Sequence, residues 1–326
     1  MCEFTVKIEG NHPNIQRIKT GYYSLDHAFI NHKGDLGMPI GVGYEIFGAT
    51  GIGKSTLAYS LAGMLADDIV LCDFEGFDVD FLERVMLSVG YDGNIHVLSD
   101  IEDEKQLMNT LDLLADAKQK YNVAILDSIS AISPISEMDG DIGEANMGKR
   151  AFTMAQFSRK ALHIFRFAKE PKTIIAINHW RPTMSGRGWE SPGGIVKNYL
   201  LTVRILLKRV EEFPDGSYIL QGKAEKNRWG YSDRLFFVFM LAGYGLHAGL
   251  SAVWDCVILK VAKYENGTIK IGTQSYGRLS TLVKSAKAGE DIFKPFKDEL
   301  EKLDGTQDTG TENEGNELSE VDEVQN

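Results

Sequence analysis

A glycine-rich stretch near residue 50 limits the possible folds of this chain more than any other feature. Its residues are Gly48, Ala49, Thr50, Gly51, Ile52, Gly53, Lys54, Ser55 and Thr56. They fit the phosphate-loop pattern, in which glycines let the backbone curl so that its N–H groups point at a nucleotide's β-phosphate. Lys54 then supplies a positive charge between the β- and γ-phosphates, and the Ser55 hydroxyl is placed to ligate Mg²⁺.

The sequence on either side of this loop supports the same interpretation. Residues 42–47 read as a short buried strand, and residues 56–65 carry apolar side chains at helical spacing. A strand, a glycine loop and a helix N-terminus suit a phosphate, because the helix dipole and its unpaired N–H groups favour an anion. The sequence therefore predicts a nucleotide-binding site that includes every residue of the loop.

Strands and helices alternate through the first two thirds of the chain. Further strands are predicted at 69–74, 95–98, 122–128 and 173–179, with helices at 78–90, 102–120 and 149–169. This spacing indicates a parallel sheet with right-handed crossovers, whose ligands bind beyond the carboxyl ends of the strands. Three strand-like segments without intervening helices, at 199–207, 218–223 and 235–240, predict an antiparallel extension of that sheet.

Two acidic residues follow predicted strands on the side of the phosphate loop. Asp127 ends an apolar strand and is the natural acid for the Mg²⁺ shell; the alternative is an Asp that caps the next turn. Glu75 is a candidate base that orients water for attack on the γ-phosphate, although it could be a solvated loop carboxylate. Asp73 is a weaker candidate for the same role.

Two loops have compositions suited to a polymeric ligand. Residues 133–148 combine glycines, a proline and several acids, which predicts a mobile loop. Residues 180–194 interleave aromatic and basic side chains, namely Trp180, Arg181, Arg187 and Trp189. Such residues can stack on bases and pair with phosphates, so this second loop is a candidate nucleic-acid contact, with a simple connector as the alternative.

The composition is ordinary for a soluble globular protein, with 43% hydrophobic and 25% charged residues. The formal net charge of −11 is uneven, because no Lys or Arg follows Lys302 while eight Asp or Glu do; adding 8 to −11 leaves the rest of the chain at about −3. The acidic total therefore does not exclude nucleic acid. No apolar run predicts a membrane span, and three widely separated cysteines fit a reduced, cytoplasmic protein.

Taken in order, these motifs resemble the bacterial RecA and archaeal RadA recombinase family, including its bacteriophage members, from about Arg17 to Leu303. Residues 137–143 followed by 146–148 are the most specific likeness, to the family's first DNA-binding loop. Residues 73–76 resemble the strand end that bears the catalytic glutamate. Residues 178–179, at the end of the predicted strand 173–179, are similar to the family's polar sensor. Residues 226–228 are similar to a segment that reaches a neighbouring subunit.

The resemblance implies a role for each matching residue. Glu75 would be the catalytic glutamate, and His179 would sense the γ-phosphate and pass its state to the second DNA loop. Lys226 and Arg228 would act in trans on a neighbour's γ-phosphate, although they could be ordinary surface charges at a strand end. The resemblance implies DNA contacts at Met147 and Arg159 and ends the second DNA loop at Gly193 and Gly194. Together with Gly148 and the residues that the loop composition suggests, the predicted DNA-contact set is Met147, Gly148, Arg159, Trp180, Arg181, Arg187, Trp189, Gly193 and Gly194.

The resemblance also implies an architecture: a RecA-like α/β core with a mostly parallel sheet and an antiparallel extension. Its expected divisions are an N-terminal arm (1–36), the ATPase core (37–245), a small α/β module (246–303) and a disordered acidic tail (304–326). The arm could serve to pack on the core or to dock on another subunit.

The leading functional hypothesis is a DNA-dependent ATPase that uses ATP and Mg²⁺. It would form helical homo-oligomeric filaments on single-stranded DNA and exchange strands with double-stranded DNA, in the cytoplasm of a cell or of a phage-infected host. Two alternatives remain: a ring-shaped helicase or motor with the same core, and a non-catalytic mediator that binds ATP and DNA.

Overall fold

The computed structural model describes residues 15–99, 103–132, 147–182, 189–191 and 199–307. The predicted first DNA loop up to residue 146 lies outside these residues, together with Arg187, Gly193, Gly194 and residues 308–326 of the predicted tail. The first 14 residues of the predicted N-terminal arm (1–36) also lie outside them. The first four residues of the predicted disordered tail (304–326) are helical instead. Within the described chain no helix is both long and apolar enough to cross a membrane.

The strands, in chain order, are β1 (Gln16–Ile18), β2 (Met38–Ile40), β3 (Gly43–Gly48), β4 (Asp68–Asp73), β5 (Ile95–Leu98), β6 (Tyr121–Asp127), β7 (Thr173–His179), β8 (Arg181–Pro182), β9 (Trp189–Glu190), β10 (Leu201–Glu212), β11 (Tyr218–Asn227), β12 (Arg234–Leu241), β13 (Gly245–Leu246), β14 (Ala262–Glu265), β15 (Thr268–Ile271) and β16 (Gln274–Arg278). The described helices are α1 (Tyr23–Ala28), α2 (Lys54–Leu65), α3 (Val79–Ser88), α4 (Asp103–Ala115), α5 (Met147–Phe167), α6 (Ala248–Ile258), α7 (Leu279–Lys287) and α8 (Lys294–Gln307).

Nine of these strands form one sheet in the order β13-β12-β11-β10-β3-β7-β6-β4-β5. Every pairing from β10 to β5 is parallel, whereas β10–β11, β11–β12 and β12–β13 are antiparallel. The predicted mostly parallel sheet with an antiparallel extension is therefore confirmed. The phosphate-loop strand β3 lies near the middle, so the loop that follows it has neighbours on both sides.

Helices cover both faces of this sheet, and the side chains of each strand alternate between two cores. Ile69 and Leu71 of β4 belong to the core shared with α2 and α3, whereas Val70 and Cys72 belong to the core under α4 and α5. A strand buried on both faces needs a nearly continuous apolar run. This is why the central strands were recognisable in the sequence.

The C-terminal part of the chain shares a third core with the antiparallel extension. Phe237 and Phe239 of β12 pack in it with Trp254 of α6 and Phe296 of α8. Strands β14, β15 and β16 form a separate three-stranded antiparallel sheet in this region. The extension therefore anchors the segment that follows residue 246 to the main sheet.

Some predicted helix limits were wrong. The sequence predicts a first helix at about 24–31 with Ser24 as its cap, but α1 begins at Tyr23. The Ser24 hydroxyl instead donates to the Phe237 carbonyl oxygen at 2.9 Å and accepts from the Phe237 N–H at 3.0 Å. The predicted helix at 102–120 ends at Ala115. Asp78 caps α3 from outside, accepting from the Phe81 N–H at 3.0 Å.

Candidate nucleotide-binding site

The phosphate loop connects β3 to α2, and two of its glycines adopt left-handed backbone conformations. Gly51 has φ 73° and Gly53 has φ 106°. A Cβ at Gly53 would also lie 2.4 Å from the Tyr218 hydroxyl oxygen. Only glycine satisfies both conditions. The loop is therefore shaped by the β10–β11 hairpin as well as by its own residues.

Arg209 of β10, which the sequence interpretation missed, supports the loop from the same hairpin. Its guanidinium donates to the Gly51 carbonyl oxygen and lies 4.0 Å from the centre of the Tyr218 ring. An arginine just beyond the predicted strand at 199–207 carries no local signal of this role, because the contact depends on the pairing of β10 with β3, the strand that leads into the loop.

Lys54 lies at the start of α2 with its ammonium group inside the loop. Its Nζ donates to the Ala49 carbonyl oxygen at 2.8 Å and to the Gly48 carbonyl oxygen at 3.4 Å. Burial lowers the pKa of Lys54, and the negative charges of Glu75 and Asp127 oppose that effect. The ammonium is thus held against carbonyl oxygens of the loop, with two carboxylates nearby.

The two predicted metal residues, Ser55 and Asp127, meet at the carboxyl end of β6. The Asp127 carboxylate accepts hydrogen bonds from the Ser55 and Tyr59 hydroxyls, the latter at 2.8 Å. Burial raises the pKa of Asp127 although both hydrogen bonds act to lower it. The side chain is 6% exposed, so its charge is poorly solvated and is favoured by a cation nearby.

The donor set fits Mg²⁺. No group of three or more His, Cys, Asp or Glu side chains among the described residues could form a metal site made of protein alone. One hydroxyl and one carboxylate, completed by phosphate oxygens and water, is the kind of set that Mg²⁺ takes in nucleotide sites. Ser55 and Asp127 would therefore hold the ion together with a bound nucleotide.

Glu75 lies just beyond the end of β4, facing the same edge. Its carboxylate accepts from the Ser128 hydroxyl, and its Oε1 lies 3.0 Å from Nε2 of His179. Burial acts to raise the pKa of Glu75, but the hydrogen bonds from Ser128 and His179 and the charges of His179 and Lys54 lower it overall. Glu75 is therefore a carboxylate at neutral pH, as a base must be.

Asp73, the rival base, is committed to the backbone. Its Oδ1 accepts from the N–H groups of Gly76 at 2.9 Å and Glu75 at 3.3 Å, and the residue is 8% exposed. Asp73 therefore holds the turn that presents Glu75. This geometry favours Glu75 over Asp73 as the group that faces a substrate.

A buried polar network that the sequence interpretation missed lies next to this site. Glu45 is completely buried within β3; its Oε2 accepts from Nε of Arg204 at 2.5 Å, and its Oε1 accepts from the Asn178 amide at 2.8 Å. Asn178 also accepts from the His179 N–H at 2.9 Å. A chain of contacts thus runs from Glu75 through His179 and Asn178 to Glu45 and Arg204.

Arg204 extends the network in two further directions. Its guanidinium donates to the Ser191 hydroxyl at 2.9 Å and pairs with Glu225 at 2.8 Å, while lying 4.7 Å from the centre of the Phe47 ring. Ser191 belongs to the predicted second DNA loop, and Glu225 precedes Lys226. The available signal for this network was one charged residue within each of two largely apolar runs, Glu45 in residues 42–47 and Arg204 in residues 199–207.

Lys226 and Arg228 are not brought to the phosphate loop of their own chain. β11 runs antiparallel to β10 and β3, so residue 226 pairs with Arg204 and lies toward the opposite end of the sheet. Lys226 donates to the Leu201 carbonyl oxygen at 3.3 Å, and Arg228 lies 5.6 Å from the centre of the Trp229 ring. Burial, followed by the positive charges of Arg204 and Arg228, lowers the pKa of Lys226.

The predicted DNA contacts are only partly within the described chain. Met147 and Gly148 begin α5, and Arg159 is exposed on that helix. Arg181 and Trp189 lie in the short hairpin β8–β9, where Arg181 pairs with Glu190 and Pro182 with Trp189 along the backbone. Trp180, at the end of β7, is partly buried.

The central parallel strands and the glycine loop at their carboxyl edge define the class of P-loop nucleotide-binding proteins. The comparison with known families narrows this class to one family, because the model of the RecA N-terminal domain matches residues 4–228. This match covers more than half of the 326 residues. The chain therefore belongs to the RecA family of recombinases.

Curated relatives agree with this assignment at modest identity. The chain is 26% identical over 309 residues to Protein RecA of Sulfurovum sp., covering 88% of this chain and 84% of the relative. It is 30% identical over 210 residues to Protein RecA of Wolinella succinogenes, covering 62% and 57%. The corresponding protein of Chlorobium chlorochromatii is 26% identical over 281 residues, covering 83% and 76%.

Proposed function

We propose that this protein is an ATP-dependent DNA recombinase that assembles into helical filaments on single-stranded DNA and pairs it with homologous duplex. Its family membership supports the recombinase activity. The observation that supports ATP hydrolysis is the meeting of Lys54, Glu75, Asp127 and His179 at one edge of the sheet. The proposed place of action is the cytoplasm.

In this proposal the phosphate loop and Lys54 bind the β- and γ-phosphates of ATP. Glu75 orients a water molecule for in-line attack on the γ-phosphate and accepts its proton. Mg²⁺, held by Ser55 and Asp127, would neutralise charge that develops on the phosphate oxygens. His179, in contact with Glu75, reports the state of the γ-phosphate to the segment that follows β7.

The proposed role of Lys226 and Arg228 is to complete the site of an adjacent subunit. Their position away from the phosphate loop of their own chain is compatible with action in trans and not with action in cis. Cations supplied by a neighbour stabilise the negative charge of a phosphoryl-transfer transition state. ATP would then lie between subunits, so that hydrolysis and filament assembly depend on each other.

Substitutions at the site test the hydrolytic part of the proposal. Lys54→Ala should abolish turnover and most nucleotide binding, because the phosphates lose their nearest cation. Glu75→Gln should keep ATP bound and lower DNA-stimulated turnover at least about hundredfold, the usual contribution of a general base. Turnover by Glu75→Gln at the parent rate would transfer the role of the base to Asp73.

Mixing two inactive variants tests action in trans. The double variant Lys226→Ala, Arg228→Ala should bind ATP but lose DNA-stimulated hydrolysis. Adding Lys54→Ala protein should restore part of the activity, because some interfaces then combine an intact phosphate loop with intact cations. No recovery in mixtures that co-assemble would count against a shared site.

Electron microscopy with single-stranded DNA and ATP distinguishes the remaining functional classes. Helical filaments are expected from a recombinase, whereas closed rings would indicate a helicase-like motor. DNA binding with neither assembly would favour a mediator that assists another recombinase.

A further inference from the structure

Tyr59 is a buried polar residue that the proposed reaction does not yet use. It lies on α2 four residues after Ser55, so both side chains project from the same face of the helix. Its hydroxyl donates to Oδ2 of Asp127 at 2.8 Å, and the residue is 3% exposed. One helix face therefore presents two hydroxyl groups, from Ser55 and Tyr59, to one carboxylate.

This arrangement restricts the Asp127 carboxylate. A carboxylate at a strand end can turn about its last bond, and metal binding depends on which oxygen faces the ion. A donor held on Oδ2 by a side chain packed in the core selects one orientation. The Tyr59 ring itself belongs to the apolar core shared by α2 and the sheet, so its position is set by packing rather than by the ligand.

We propose that Tyr59 is a positioning residue for the nucleotide-bound Mg²⁺: its hydroxyl holds Asp127 in the orientation that, with Ser55, receives the ion. The inference rests on the proposed binding of a magnesium nucleotide at this loop. It differs from a purely structural role, in which the hydroxyl only satisfies its own hydrogen bond inside the core.

Tyr59→Phe removes the hydroxyl and keeps the ring, and Tyr91→Phe is the matched control. The Tyr91 hydroxyl donates to the Asn94 carbonyl oxygen at 2.8 Å, and the residue is 9% exposed. It lies beside the amino end of β4, at the edge of the sheet opposite the phosphate loop. Both variants lose one buried phenolic hydrogen bond, but only one of those bonds reaches Asp127.

The readout is the effect of Mg²⁺ on ADP binding, measured by calorimetry with the full chain in the presence and absence of the ion. Tyr59→Phe should reduce the gain in ADP affinity that Mg²⁺ produces about tenfold, because one hydrogen bond to a charged group is lost. It should leave metal-free ADP binding unchanged. Tyr91→Phe should leave both unchanged. Mn²⁺ titration followed by electron paramagnetic resonance should show the same loss directly.

A double variant separates positioning from a general loss of stability. In an Asp127→Asn background, Tyr59→Phe should have no further effect on Mg²⁺ dependence, because the group it orients is already changed. The inference is overturned if Tyr59→Phe keeps the parent Mg²⁺ dependence, or if its effect persists in that background. It is also overturned if Tyr91→Phe reduces the Mg²⁺ dependence of ADP binding as much as Tyr59→Phe does. A parent protein that binds no magnesium nucleotide would instead overturn the proposed function.

Discussion

Among the described residues, Glu45 and Asp255 are the two carboxyl groups most shielded from water, and their surroundings differ. Glu45, beside the nucleotide site, pairs with the guanidinium of Arg204 and accepts from Asn178. Asp255 on α6 is equally buried, but its Oδ2 accepts a hydrogen bond from the Ser24 N–H at 3.2 Å and its Oδ1 has no hydrogen-bond partner. Burial raises the pKa of Asp255 to about 7.

The difference follows from where each carboxylate lies. The network around Glu45 joins segments that carry His179, Ser191 and Glu225, so its charges hold several functional segments in one arrangement. Asp255 lies where α1 meets the C-terminal segment, and there burial favours the neutral acid over the charged carboxylate. The stability of the region around Glu45 therefore depends on its charge pair with Arg204. The stability of the region around Asp255 depends on the protonation of that residue.

Breaking the charge pair should have the largest effect. Arg204→Met leaves the Glu45 carboxylate buried without its cation, which should lower the free energy of unfolding by roughly 3–5 kcal/mol. Combining it with Glu45→Gln should recover most of that loss, because no buried charge remains. Urea denaturation measures both, with the exposed Arg166→Met as the control. A loss below about 1 kcal/mol for Arg204→Met would show that the network tolerates an unpaired Glu45.

The second prediction concerns the pH dependence that Asp255 confers. Its pKa is about 7 in the folded state against an ordinary value of 3.8 for a solvated Asp, so the folded state binds the proton more tightly. The stability it contributes is complete below pH 3.8 and is lost as the pH rises toward 7. The loss is on the order of 4 kcal/mol, at 1.36 kcal/mol for each pKa unit.

Asp255→Asn should remove this loss, because the amide does not ionise. The difference in unfolding free energy between variant and parent should therefore shift in the variant's favour between pH 4 and 7 and level off above that range. Urea denaturation at a series of pH values checks it. Parallel stability curves for the two proteins would mean that Asp255 does not titrate in this window.

Ser24→Ala sharpens the comparison without removing either carboxylate. The hydroxyl satisfies both the N–H and the carbonyl oxygen of Phe237 inside the junction. Its loss should cost about 1–2 kcal/mol, since backbone groups that remain buried lose a partner. Asp255 keeps the bond from the Ser24 N–H but loses the effect of the Ser24 hydroxyl, which also acts to lower its pKa, so the pH-dependent loss of stability should extend to higher pH than in the parent. An unchanged pH dependence would show that the backbone N–H, not the hydroxyl, controls Asp255.

The smallest effect is expected at the solvent edge of the same junction. Nε2 of His27 lies 3.1 Å from Oδ1 of Asp304, which is 40% exposed, and the two groups lack hydrogen-bond geometry. Asp304→Asn should therefore change the free energy of unfolding by less than about 1 kcal/mol, as exposed ion pairs do. Thermal unfolding of variant and parent at low and high salt measures this change. A difference in stability that persists at high salt would show that the contact is more than an ion pair screened by solvent.

The sequence alone determined the elements whose signals are local. A glycine loop between an apolar strand and a helix is legible because phosphate binding needs left-handed backbone and a helix N-terminus within a few residues. Central strands buried on both faces read as apolar runs, and Glu75 and Asp127 were found because they interrupt such runs at their carboxyl ends. The mostly parallel sheet and its antiparallel extension followed from the order of these segments.

Only the tertiary structure decided which distant groups share a contact. Tyr59 and Asp127 are joined because α2 packs across β6, and Arg209 reaches Gly51 because β10 pairs with β3, the strand that leads into the loop. Glu45 finds Arg204 through the parallel register of β3 and β10, which no local pattern specifies. Ser24 fits a helix cap by residue type, yet a buried partner on β12 outweighed that preference. Local preferences amount to about 1 kcal/mol, so the packing of distant segments overrides them.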